Sequence, residues 1–238
     1  MGRLIIADLR RIAKKRGNYL WGMILFLIIL FWDYRIDSAE QIKIIHDSVN
    51  SVGMIMISIP VLLSVYGDEL RSGTMQCAIG RGLSRTGIVV GKLIECALLS
   101  ACSFACLFLF SWFKNFIMDI ILTPRQYEML AVYFLLSWIR LLTCFAIVSM
   151  LTLLSWSMVL GILTDLFLIQ ILEILLKAIQ QIAHVAVYDY SFYGLIAGAY
   201  ASMEVGKTEG QLLASVLIYI CGTTMITVLF FNRKELPL

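Results

Sequence analysis

The chain has 238 residues, 61% of them hydrophobic and 15% charged, with a net charge of +3 and a mean hydropathy of +0.89. Soluble domains use about 45 to 50% apolar residues, and a soluble core this rich would leave too little polar surface to cover it, so a soluble domain, a secreted disulfide scaffold and a disordered chain are excluded. A bilayer needs about 20 apolar residues per spanning helix, and roughly six such spans fit this length.

Residues 3–16, RLIIADLRRIAKKR, place Ile5, Leu9 and Ile12 on one face and Arg10, Lys14 and Lys15 towards another. That spacing makes an amphipathic helix lying in the membrane plane, with its cations towards anionic lipid. A basic flank that only sets topology is the equal alternative, since it needs no helix. A cleaved leader also begins with a basic region and an apolar run, but no small-x-small site follows Trp32.

Uncharged intervals then give the spans. Gly17 to Trp32 is 16 residues, roughly 24 Å of helix against a hydrocarbon core of about 30 Å, so the first span is drawn to about residue 35. The second covers about 48–67 and contains Pro60, which neighbouring helices make tolerable in a membrane. Residues 68–86 follow as a mixed polar and apolar segment. Leu70, Cys77 and Ala78 fit one face of a short helix, Gly80 and Gly82 can end it, and Ser84 can cap the next. The third span covers about 87–113, with Glu95 near its start. Met129 to Ile182 holds 54 residues, about 81 Å of helix, which suits two spans, 129–154 and 158–181, joined by a turn at Ser155 to Ser157. Between them and the last span, 211–232, lies a tyrosine-rich stretch too short to cross. It reads as an interfacial or re-entrant element, and secondly as a lid. The runs are continuous rather than alternating, so the spans are helices and not barrel strands.

Twelve of the nineteen Lys and Arg residues fall at the two ends of the chain or between the second and third spans. By the positive-inside rule both termini are cytoplasmic. The six cysteines then lie in spans or on the reducing side and read as packing residues. No catalytic constellation is visible. GLSRTGIVVGK has glycines and a lysine but not the G-x-x-x-x-G-K-[ST] order of a phosphate loop, and His46 and His184 are isolated. The chain is therefore expected to bind no cofactor or metal and not to be an enzyme.

The basic N-terminal segment running into the first span, Glu69-Leu70-Arg71-Ser72-Gly73-Thr74 as an E-x-x-x-G-T segment, and Ser84-Arg85 followed by Gly91-Lys92 together resemble the permease subunit of the ABC transporter type-2 exporter family. Six spans, a very short turn between the fourth and fifth, a longer outer segment and the tail FNRKELPL are also similar. In size and architecture the chain looks closest to small permeases of Gram-positive bacteria that export peptides or confer bacteriocin immunity. The resemblance implies an all-α, polytopic membrane protein with six transmembrane helices, an N-terminal amphipathic elbow helix at about 3–16 and a cytoplasmic coupling helix within 68–86. It implies a second permease subunit, identical or different, and two copies of a separate ATPase subunit that carries the ATP and Mg. Glu69, Arg71, Gly73, Thr74, Arg81 and Arg85 would serve ATPase coupling. The cargo would be an amphipathic or antimicrobial peptide or another hydrophobic compound, with the bilayer as medium and no nucleic-acid partner, in a bacterial plasma membrane. The alternatives are a self-contained carrier or channel, which usually shows internal repeats or broken helices, and a membrane scaffold or immunity protein, which has no need of the E-x-x-x-G-T loop.

Charges at membrane depth are functional candidates by default. Arg140 and Glu173 lie at similar depths on the expected fourth and fifth spans, so antiparallel neighbours can pair them, either as a packing element or as a substrate contact; Glu173 can instead meet Lys177 one turn on. Asp165 and Glu95 are expected near cytoplasmic ends, within reach of water.

Overall fold

A computed structural model describes residues 2–14, 49–80, 82–117, 123–204 and 210–233, and every regular element among them is helical. The elements are α1 (Gly2–Ala13), α2 (Met54–Leu62) between π-helical turns at Val49–Gly53 and Leu63–Gly67, α3 (Asp68–Ser72), α4 (Thr74–Gly80), α5 (Arg85–Ile117) and α6 (Pro124–Ser155). They continue with α7 (Met158–Leu166), which runs through a π-helical turn at Phe167–Ile171 into α8 (Leu172–Ala183), then α9 (Val187–Tyr190), α10 (Phe192–Glu204) and α11 (Gly210–Arg233).

Among the described residues four helices are long and apolar enough to cross a membrane: Arg85–Phe113, Pro124–Ser155, Met158–Ala183 and Ala214–Arg233. At 1.5 Å per residue they measure about 44, 48, 39 and 30 Å in turn, each at least the depth of a hydrocarbon core. They carry the expected third to sixth spans, with ends shifted by a few residues. Six spans are not reached. The first, 17–35, lies outside the described residues. The second, 48–67, is helical from Val49 but is pieced together from a π turn, nine α-helical residues that include Pro60 and another π turn, and it is not one of the four.

Local chemistry explains the boundaries. Thr123 and Gln126 form a capping box before Pro124 at the first position of α6. At the other end Trp156 takes a left-handed conformation, and Ser157 Oγ accepts the Leu160 N–H at 3.4 Å, which starts α7. The turn thus falls where the uncharged 54-residue run has to fold back. Ser84 Oγ accepts the Gly87 N–H at 3.2 Å and caps α5.

α6 is the centre of the bundle. It packs on α5, α7, α10 and α11, and 61% of its most apolar stretch is buried, against 17 to 22% for the other three long helices. α2 is inserted between α5 and α7, burying Met54, Ile57, Val61 and Leu62. The outward faces stay apolar, with Leu163, Ile174, Ile182, Ile218 and Met225 exposed. Such a surface is a liability in water and is matched by hydrocarbon. Of the cysteines, all free, Cys96 and Cys144 are buried, whereas Cys77, Cys102, Cys106 and Cys221 are exposed. The packing role expected for all six holds for two, because the others face away from the bundle.

The tyrosine-rich stretch forms α9 and α10, neither of which is long enough to span. Ser191 Oγ donates to the Tyr188 carbonyl at 2.6 Å and accepts the Gly194 N–H at 3.3 Å, folding α10 back on α9. A Cβ at Gly194 would sit 2.2 Å from the Tyr188 carbonyl oxygen and 2.7 Å from the Asp189 Cα. Backbone cannot rotate away as a side chain can, so Gly194→Ala is expected to cost about 1 to 3 kcal/mol and to lower the melting temperature in detergent. An unchanged melting curve would show that α9 and α10 do not meet this closely.

Candidate functional site

The segment after α2 does not form one helix. Gly73, at φ +66°, breaks it into α3 and α4, and Gly82, at φ +91°, ends the turn that follows. Left-handed backbone of this kind favours glycine. The break redirects α4, so Met75 and Ile79 face the bundle while Cys77 is exposed. The single face expected for Leu70, Cys77 and Ala78 is corrected accordingly.

Glu69 also faces inward. It is 6% exposed, and its Oε1 accepts from Arg11 Nη2 at 2.5 Å and from Lys92 Nζ at 2.6 Å. Lys92 reaches Asp8 at 3.1 Å and Glu95 at 2.9 Å as well. Three carboxylates and two cations thereby join α1, α3 and α5 in one node, buried at Glu69, Lys92 and Glu95 and open to solvent at Arg11, beside a cavity of about 170 Å³ lined in part by Thr74, Met75 and Ile88. Burial at Arg11 works against its charge, yet the hydrogen bond and charge of Glu69, with Asp8 and Glu95 behind them, hold its pKa above the ordinary value. It stays a cation. Glu69 is therefore a strut within the chain, and the exposed side chains of α3 and α4 are those of Asp68, Arg71, Ser72, Thr74 and Cys77. Arg81 lies outside the described residues. Arg85 Nη1 donates to the Phe231 and Asn232 carbonyls at 2.8 and 3.1 Å, a cation on the open C-terminal carbonyls of α11.

Towards the other end of the bundle Arg140 Nη2 meets Glu173 Oε2 at 2.8 Å, and Lys177 Nζ meets Glu173 Oε1 at the same distance. Both pairings that the sequence allows are made at once. The π turn Phe167–Ile171 explains how this site is held. A π turn leaves carbonyls off the regular ladder and recurs at functional sites; here Tyr193 Oη donates to the Leu168 carbonyl, and Arg140 Nη2 to that of Ile169 at 3.5 Å. The Arg140 guanidinium also lies 5.0 Å from the centre of the Tyr193 ring. Tyr188 Oη donates to Glu173 at 3.4 Å, and burial, followed by the Glu173 charge, pushes its phenol up, so it remains a donor.

Glu95 and Asp165 do not reach the surface. Both are enclosed, Glu95 against Lys92 and beside the cavity, and Asp165 with no hydrogen bond placed on either carboxylate oxygen among the described residues. The expectation of cheap snorkelling fails because depth along a helix says nothing about the direction of the side chain, and both point into the bundle. Asp8 and Lys92 were not singled out as site residues. The available signals were the i,i+3 pairs Asp8–Arg11 and Lys92–Glu95, at 3.5 and 2.9 Å. No model of a known protein family matches this chain, and no curated protein matches it either.

Proposed function

We propose that the chain is the transmembrane subunit of an ATP-driven exporter of the ABC type-2 kind, forming half of a translocation path with a second permease subunit. The ATP and Mg sit on a separate ATPase chain, and the cargo is an amphipathic peptide or another hydrophobic compound. Both termini and the α3–α4 segment face the cytoplasm of a bacterial cell, a reading supported by the placement of Lys and Arg.

The observation that carries this proposal is the node of Asp8, Arg11, Glu69, Lys92 and Glu95. It ties a basic amphipathic helix and the base of a long apolar helix to a short polar segment whose outer face is open. A push on α3 and α4 is passed to α1 and α5 through charge-assisted bonds, which are short and strong. Coupling chemistry needs that connection, and a passive anchor does not.

Arg71 is the exposed cation of the segment, so Arg71→Glu tests the docking surface without touching the node. The ATPase that copurifies with the native protein from its own membrane is expected to be lost or reduced at least tenfold with Arg71→Glu, while detergent melting stays unchanged, as surface substitutions usually allow. If no ATPase copurifies with the native chain, the proposal falls.

A further inference from the structure

Asp165 has no role in the coupling node or in the Arg140–Glu173 site, yet it is the most isolated carboxyl among the described residues. It lies on α7, about 10 Å along the helix from Met158. It is 0% exposed, and among the described residues neither oxygen has a hydrogen bond placed on it. Its polar neighbour is Ser58 on α2, whose hydroxyl is placed to donate to the Ile55 carbonyl at 3.3 Å and can turn to the carboxyl instead.

Titratable groups close to it among the described residues are thiols and a phenol, which ordinarily carry no charge at neutral pH: Cys96 on α5, Cys144 on α6 and Tyr193 on α10, while Tyr66, in the turn after α2, is hydrogen-bonded to Ser149 at 2.7 Å. Of the charged groups on the same elements, Lys92 and Glu95 are paired with each other, Arg140 is paired with Glu173, and Arg85 is held by the Phe231 and Asn232 carbonyls. An ionised carboxylate left without a partner in such surroundings is so costly that the group neutralises instead.

The walls around Asp165 differ in how they can move. One turn earlier on α7, Gly161 lets α6 come so close that a Cβ there would lie 2.3 Å from Thr152 Oγ1, so the α6 side is tightly closed. The α2 side is built from a nine-residue helix with a π turn at each end and a proline inside it. It is the segment suited to shift. We propose that Asp165 is a proton-binding site between α2 and α7, holding its proton while the two helices are closed over it and exchanging it when they part. On opening, the carboxyl O–H bond breaks, the proton passes to an entering water, and the carboxylate keeps the electron pair and is solvated. This inference is independent of the ATPase reading and survives its failure.

The test uses the full chain in lipid. Its infrared spectrum at neutral pH or slightly below is expected to contain the C=O stretch of an un-ionised carboxyl that is missing in Asp165→Asn, that shifts in D₂O without unfolding and that disappears in alkali. The melting temperature of the native chain, relative to that of Asp165→Asn, is expected to fall as pH rises above about 4, because the unfolded carboxyl ionises there while the folded one keeps its proton; the relative fall is about 3 °C or more per pH unit until the folded group ionises too. Should Asp165→Asn not fold, Asp165→Glu moves the band and provides the assignment. Absence of the band, a band that never shifts in D₂O, or stabilisation by sodium over choline that is lost in the variant would each overturn a proton site, the last in favour of a metal cation.

Discussion

Lys92→Met is expected to lower folding stability by about 3 to 5 kcal/mol, the range seen when one partner of a buried ionic group is removed. Methionine retains most of the volume, so the loss isolates the charge. Among the described residues Lys92 is the one side chain that touches Asp8, Glu69 and Glu95 together, at 3.1, 2.6 and 2.9 Å. Without it the three carboxylates keep, among those residues, only Arg11, and Glu95, whose Oε1 has no partner there, loses its ion pair. The remaining acids are forced to take up protons or to push α1 and α3 away from α5. Adding Glu95→Gln to Lys92→Met should restore part of the stability, because the second change removes a charge that the first has stranded. Detergent melting of the three variants checks this. If Lys92→Met melts with the native protein, water reaches the node and it is not the joint described above.

What was legible in the sequence depended on which axis of a helix the signal reports. Position along the axis was well encoded. Charges are excluded from hydrocarbon and glycine, proline and serine gather at ends, so the four long helices begin and stop within a few residues of the uncharged intervals, and the Ser155–Ser157 turn stands where expected. Arithmetic on depth was enough to bring Arg140 and Glu173 together. Direction around the axis was poorly encoded, because runs that are apolar on every side have no contrast between core and lipid. Glu95 and Asp165 therefore looked like residues reaching for water and turn out to be enclosed. The π turns had no signal at all, as each is a local winding chosen by packing; the one at Phe167–Ile171 carries the two carbonyls that Tyr193 and Arg140 use. Glu69 was found as a residue of interest from its motif, but its partners Arg11 and Lys92 lie 58 and 23 positions away, and only the fold joins them.

Glu173→Leu should be the more damaging half of the Arg140–Glu173 pair, by about 3 to 5 kcal/mol. Glu173 carries two cations, so its loss strands both, and the two differ in what is left to them. Lys177 is half exposed and turns to solvent. Arg140 is 8% exposed and keeps the long bond to the Ile169 carbonyl and the face of Tyr193, too little for a buried guanidinium whose Nε is already without a partner. Arg140→Leu is expected to cost less, about 1.5 to 3 kcal/mol for a charged hydrogen bond, since Glu173 keeps Lys177 at 2.8 Å and the Tyr188 hydroxyl. The double variant should be more stable than the two single losses added together, and close to Arg140→Leu alone, because once Arg140 is gone the removal of Glu173 strands nothing buried. Equal single costs, or strict additivity in melting experiments, would mean that the guanidinium finds water when the bundle is in a bilayer. If the proposed export activity holds, a double variant that folds but no longer exports would instead place the pair in the transport cycle, since packing alone predicts that folding and export return together.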